Sequence, residues 1–336
     1  MNIPHMTRWA RGVAVAAAAA TLVLTPAAGA TVAKQEASWR AVKTAPAAHT
    51  WRVRVGSESK DMAIAGMRFL PGRITINAGD TITWVARSAE IHTVTFLRGG
   101  APRKKLPEFD PSKPWQVTRQ GGSVYSPGTR FNSGLMTTVP TGGDAGPLPP
   151  VPHVQRYQLT FPRTGTFTYY CLVHGVMMVG TVHVNATGTP YPLTQAQYDA
   201  RATRQAAHLV QAGKRLNTFL VRHSSRHKVF AGGDNGAVTL MRFLRRTVVV
   251  RVGQSVSWAV PGMVEPHTVT FGKEPAGPKV FVPSGDPTHY SGGDLNSGLM
   301  VPRSTFRVTF TKAGSYPYVC ALHDFMGMRG KVVVRP

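Results

Sequence analysis

The chain is poor in cysteine, with only Cys171 and Cys320 among 336 residues. That excludes a disulfide-stapled scaffold, and one bridge between these two is the most an oxidising compartment would produce. Acidic residues are also scarce, 15 Asp and Glu against 39 Lys and Arg, for a formal net charge of +24. Such a surface favours acidic partners, such as an acidic redox protein, anionic polymers of a cell envelope or lipid headgroups. The basic residues are scattered, with no basic helix, RNA-binding signature or Cys/His finger spacing, which argues against nucleic acid as the partner. Past the N-terminal region no apolar run approaches the ~20 residues of a membrane span, so no transmembrane segment is expected in the mature chain. No His-x-His occurs, and the neighbours of the cysteines are Tyr170, Leu172, Val319 and Ala321.

What is present begins with a leader. Arg8 and Arg11 precede an Ala/Val/Leu stretch at residues 13–24, and Ala28-Gly-Ala30 reads as a small-residue cleavage site. Residues 1–30 are therefore the expected secretory signal, with 31–49 a loose lead-in. No cysteine lies near the cleavage site, so a lipid anchor is not expected. Loss of Arg8 and Arg11 with the leader leaves +22 (24 − 2). The mature protein is expected to be extracytoplasmic, either secreted or held in the periplasm or cell envelope. Its 34 Gly, 26 Pro and short runs of Val, Thr and Phe point to all-β modules.

The most informative feature is an internal repeat. Met67-Arg-Phe-Leu70 recurs as Met241-Arg-Phe-Leu244, Glu90-Ile-His92-Thr-Val-Thr-Phe96 as Glu265-Pro-His267-Thr-Val-Thr-Phe271, and Phe131-Asn-Ser-Gly-Leu-Met136 as Leu295-Asn-Ser-Gly-Leu-Met300. Gly165-Thr-Phe167-Thr-Tyr169-Tyr-Cys171-Leu-Val-His174 is matched by the stretch from Tyr316 through Tyr318 and Cys320 to His323. Two homologous domains are expected, at 50–188 and 228–336. The first is longer only in its Pro/Gly-rich connections, where insertions are tolerated. Between them, residues 189–227 change to Ala, Gln and Arg. Tyr198, Ala202, Ala206, Leu209, Ala212, Leu216 and Phe219 share one face of a linking helix, which Gly213 weakens enough that two shorter helices are an alternative.

Each copy carries the same donor set in the same order. The first supplies His92, Cys171, His174 and Met178, and the second His267, Cys320, His323 and Met328. A thiolate, two imidazoles and a weak thioether select copper in an electron-transfer site. Two coppers of type 1 are expected per chain. Alternation through Phe167, Tyr169 and Cys171, and through Tyr316, Tyr318 and Cys320, turns each thiolate toward a core, which argues against a Cys171–Cys320 bridge. Each loop holds a second methionine, so Met177 and Met326 remain alternative axial donors or an apolar rim. Met136 and Met300 are assigned to the core. His223 and His227, four apart near the linker, are at most an adventitious metal site.

These motifs (His-Thr-Val-Thr-Phe, Asn-Ser-Gly-Leu-Met, the aromatic-x-Tyr-x-Cys-x-x-His loop and the methionine beyond it) resemble the cupredoxins, the small blue copper proteins, and the plastocyanin and amicyanin group in particular. The likeness covers about 50–186 and 228–336. It implies a Greek-key β-sandwich per domain with copper at one end. It also implies that His174 and His323 reach the surface to pass electrons, with Gly175, Val176 and Phe325 as an apolar docking patch that Asp324 makes more polar in the second domain. Thr93 and Thr268 stand where the family has Asn, which changes the hydrogen bonding expected around the thiolate. Tandem cupredoxin domains also build nitrite reductases and multicopper oxidases. Those use further copper on His-x-His or a His beside the Cys, both absent here, so a carrier is expected and an enzyme is not. Copper storage or delivery is the alternative role.

Overall fold

The computed structural model describes residues 47–100, 106–139 and 152–336, which belong to one compact unit spanning Ala45–Pro336. The expected signal at 1–30 and nearly all of the lead-in lie outside the described residues. The first half contributes β1 (Thr50–Glu58), β2 (Ile64–Leu70), β3 (Arg73–Asn77), β4 (Thr81–Ala86), β5 (Thr95–Phe96), β6 (Arg119–Gln120), β7 (Phe131–Ser133), β8 (Arg156–Thr160), β9 (Gly165–Cys171) and β10 (Gly175–Asn185). A long helix, Gln195–His223, leads to β11 (Lys228–Ala231), β12 (Val238–Leu240), β13 (Phe243–Leu244), β14 (Thr247–Arg251), β15 (Ser255–Ala259), β16 (Thr270–Phe271), β17 (Leu295–Asn296), β18 (Thr305–Thr309), β19 (Gly314–Val319) and β20 (Arg329–Arg335). Among the described residues no helix is long and apolar enough to cross a membrane.

Two tandem β-sandwiches result, and the second repeats the strand order of the first except for β6, which has no counterpart. In the first, β2-β1-β4-β8 packs on β3-β10-β9-β5-β7-β6; in the second, β13-β11-β15-β18 packs on β14-β20-β19-β16-β17. Parallel pairing of β1 with β4 and of β3 with β10, matched by β11 with β15 and β14 with β20, requires chain crossovers between sheets in both copies. Strict alternation of buried and exposed residues, as along β8 and β14, puts one face of each strand into the core. Trp84 and Trp258 sit fully buried at equivalent places, edge-on to Tyr169 at 5.3 Å and to Tyr318 at 5.1 Å. Phe96 and Phe271 pack beside them, each contributing about 1.5–3 kcal/mol by burial.

The linker forms one continuous helix. Thr194 caps it, its side chain accepting from the Gln197 amide while Gln197 reaches back to the Thr194 amide. Gly213 does not break it, because the glycine is where the helix crosses β2. A Cβ there would lie 2.3 Å from Ile64 Cγ2. The expected apolar face holds from Tyr198 to Leu216. It ends on Leu220, while Phe219 is 56% exposed and stacks on His223.

The two sandwiches are joined by more than the helix. Strand β12 leaves its own domain and adds to the first sheet beside β2, pairing Val238 with Gly66, Thr239 with Ala65 and Leu240 with Ile64. These are equivalent positions of the repeat paired antiparallel, so Ala65 and Thr239 mark a local two-fold axis inside one chain, as in an isologous dimer contact. The amides of Met67 and Met241 extend the symmetry, donating to Ala237 O and Ala63 O, both at 2.9 Å. The Arg68 guanidinium donates to the carbonyls of Met177 and Gly236, and that of Arg242 to those of Met326 and Asp61. Each arginine therefore clips the Cys–His loop of its own domain to the opposite domain, and the two loop ends meet head to head.

Candidate metal centres

Each centre is built from three elements. The first His follows β4 or β15 and is pinned by a two-way backbone bridge to the methionine of the Asn-Ser-Gly-Leu-Met segment: His92 with Met136 at 2.9 and 2.7 Å, and His267 with Met300 at 3.0 and 2.8 Å. Those methionines are core residues, as expected. The Cys ends β9 or follows β19, and the second His lies in the tight loop before the last strand.

In the first domain His92 Nδ1 and His174 Nδ1 are 3.2 Å apart, with Cys171 Sγ 3.3 Å from His174 Nδ1 and 3.9 Å from His92 Nδ1. In the second, Cys320 Sγ lies 3.4 Å from His323 Nδ1 and 3.7 Å from His267 Nδ1. Separations of this size suit N and S donors roughly 2.0–2.3 Å from one shared ion. Both cysteines are free and fully buried, as an inter-domain bridge would not allow. Met178 and Met328 are fully buried in the same cores as Cys171 and Cys320, and the Cys320 amide donates to Met328 O at 3.0 Å. Met177 lies instead near Gly236 of the other domain, and Met326 packs with Ala65, Ala89 and Met241 between the domains.

The threonines after the first His do the tying. The Thr93 amide donates to Cys171 Sγ at 3.4 Å while its Oγ1 accepts the Leu172 amide at 2.8 Å; Thr268 repeats both contacts with Cys320, at 3.3 Å, and Ala321, at 2.8 Å. Behind them Thr95 and Thr270 donate to Asn132 and Asn296, whose amides hold the loop carbonyls of Trp115 and Gln116 and of Val280 and Val282. The repeated Asn-Ser-Gly therefore acts as the anchor of this network. Gly56 and Gly232, at φ +71° and +66°, back the first imidazoles, since a Cβ would lie 2.4 Å from His92 Nε2 and 2.1 Å from His267 Nε2.

Electrostatics in the metal-free protein prepare a thiolate. Burial opposes charge at Cys320, but His323 and His267 outweigh it and bring the thiol down to about 5. Burial likewise opposes charge on His174 and His323, yet Cys171 beside the first, Cys320 beside the second and Glu265 near both hold them well above the usual range. His92 moves the other way, lowered by burial and by His174.

One expectation is overturned. His174 and His323 do not reach the surface; they are 1% and 5% exposed. The two-fold contact turns their outward nitrogens toward each other, onto two buried carboxylates. His174 Nε2 lies 3.8 Å from Glu90 Oε1 and 3.5 Å from Glu265 Oε2, and His323 Nε2 lies 3.6 Å from Glu90 Oε2 and 3.3 Å from Glu265 Oε1. Of the expected docking patch only Val176 is well exposed, at 63%, while Phe325 is half-buried between the domains. The sequence reasoning missed the glutamates, although the repeated Glu-x-His at 90–92 and 265–267 marked them. In the metal-free protein Glu90 is raised by burial and by Glu265. Burial also works against charge on Glu265, but the two histidines keep it low. His223 and His227 are not brought together; their Nδ1 atoms face the carbonyls of Phe219 and Ser255.

Comparison with known proteins finds copper-binding relatives. Residues 220–335 match the copper-binding proteins of the plastocyanin/azurin family. An amicyanin of Paracoccus versutus is 35% identical over 94 residues, 28% of this chain and 58% of that protein, so the chain spans little more than half of that relative. A chloroplastic plastocyanin of Physcomitrium patens is 31% identical over 141 residues, 40% of this chain and 76% of that protein. The crystal structure of amicyanin from Paracoccus versutus covers 34% of this chain and 88% of its own, at 29% identity and a TM-score of 0.23, a score too low to bear on the fold. On its sequence relatives and its buried donor triangles, the chain belongs to the cupredoxins, the copper-binding plastocyanin/azurin family.

Proposed function

We propose that this cupredoxin-type electron-transfer protein works outside the cytoplasm with one type 1 copper in each domain, 50–188 and 228–336. One site comprises His92, Cys171, His174 and Met178, and the other His267, Cys320, His323 and Met328. The observation that carries the reading is the duplicated His-Cys-His triangle, buried in both copies with a methionine in the same core. Copper held there supplies a one-electron couple. The chain supplies the rest. The Thr93 and Thr268 amides hold the thiolates, the aromatic cores exclude water, and the latched loops keep the donors in place so that little moves when charge changes.

Because His174 and His323 face a common pair of carboxylates, each site has the other as its nearest redox neighbour, and an electron entering either one is shared within the chain. The surface charge, +22 once the leader is removed, supports an acidic redox partner or an anionic envelope surface. We read a carrier rather than an oxidase or nitrite reductase, because no His-x-His and no His beside a Cys is present in the sequence.

Copper analysis with visible and EPR spectra on wild type, Cys171→Ser and Cys320→Ser tests the reading. The expected result is two coppers with an intense Cu–thiolate band, roughly halved by either substitution. A copper-loaded wild type that stays colourless, or one copper unaffected by one of the substitutions, refutes it.

A further inference from the structure

We infer that the space between the two domains is a third metal site, taking one divalent cation of the zinc class on Glu90, Glu265 and His323, with His174 as a fourth donor. It uses the Nε2 atoms of imidazoles whose Nδ1 atoms face the thiolates, and so rests on the two-copper reading.

The donor atoms of Glu90, Glu265 and His323 lie within 4.8 Å of one another. All four residues are at most 5% exposed. The nitrogen–oxygen contacts run from 3.3 to 3.8 Å. A charge-assisted hydrogen bond would draw them to about 2.7–2.9 Å. Donors 2.0–2.2 Å from a tetrahedral ion stand about 3.3–3.6 Å apart. Three of the four contacts, at 3.3, 3.5 and 3.6 Å, therefore have the spacing of ligands around an ion. His174 Nε2 and Glu265 Oε2 make no hydrogen bond although both are buried, and both are aimed into the space.

Charge points the same way. Two carboxylates left together away from water repel strongly, and a dication between them removes that cost. An imidazole that joins the site releases its Nε2 proton to solvent and is then shared between two metals. Carboxylate and imidazole donors suit zinc, whereas the thiolate sites select copper. The two-fold contact at Ala65 and Thr239 brings the halves together, so neither domain holds the site alone.

The test is equilibrium dialysis of the full, copper-loaded mature protein against zinc, with copper, zinc and visible absorption read on each sample. Wild type should bind one zinc per chain above its two coppers, without loss of the Cu–thiolate band. Glu90→Gln/Glu265→Gln should bind none at the same free zinc, its visible band reporting that it is folded. A copper-loaded wild type that takes up no zinc overturns the inference while leaving the two-copper reading intact, as does equal zinc uptake by the double variant. Absence of the visible band from wild type fails the copper reading itself.

Discussion

Replacing Thr93 or Thr268 with valine removes one acceptor from beneath each Cys–His loop. Thr93 Oγ1 accepts the Leu172 amide at 2.8 Å, and both residues are buried, at 0% and 2% exposed. Valine keeps the shape but leaves that amide without a partner. Thr95 keeps Asn132 Oδ1 at 3.2 Å, so one group is orphaned. A buried donor left unsatisfied costs about 1–3 kcal/mol, and the added methyl returns up to about 0.8 kcal/mol. The net loss should be about 1–2 kcal/mol in urea unfolding. Serine is the control: it keeps the hydroxyl and loses only a methyl, costing about 0.5–1.5 kcal/mol. The two separate in amide exchange, where Leu172 should lose protection in Thr93→Val and keep it in Thr93→Ser. Thr268 should behave alike through Ala321, whose amide donates at 2.8 Å. A Thr93→Val protein within 0.5 kcal/mol of wild type, with Leu172 still protected, refutes the reasoning.

Four further outcomes are expected. Gly213→Ala should destabilise, reversing the usual helix gain of about 0.8–1 kcal/mol, because its Cβ meets Ile64 at 2.3 Å; thermal melts should show the penalty shrinking in an Ile64→Ala background. Gly56→Ala should displace His92 and remove one site's share of the visible band, leaving the other, as copper titration with absorption would show. Arg242→Met removes charged donors to Met326 O and Asp61 O and should cost about 2–3 kcal/mol in urea unfolding, with Arg68→Met close to it. In metal-free protein the Cys320 thiol is lowered to about 5. An acid with a lowered pKa stays ionised as pH falls, so in Cys171→Ser the ultraviolet thiolate absorption should persist at pH 7 and disappear through about pH 5; loss near pH 8–9 contradicts the assignment.

Sequence alone determined the β-rich class and the duplication and picked out both His-Cys-His clusters that the fold brings together, because each rests on short-range chemistry: alternation along strands, Cys-x-x-His in a tight loop and a complete motif written twice. Thr93 and Thr268 also stood out, but only the fold revealed their hydroxyls as latches across residues some fifty to eighty positions apart. The repeat announced two domains without saying how they meet. That was decided by β12 pairing with β2, an edge-to-edge choice that strand patterns do not encode, since backbone pairing is indifferent to which copy supplies the edge. On that choice depends the burial of His174 and His323, which a single-domain likeness placed at the surface. The same contact turns two unremarked glutamates, 175 positions apart (265 − 90), into one charged pocket between the thiolate sites. The donors were local and legible; the space between them exists only because the two halves close on each other.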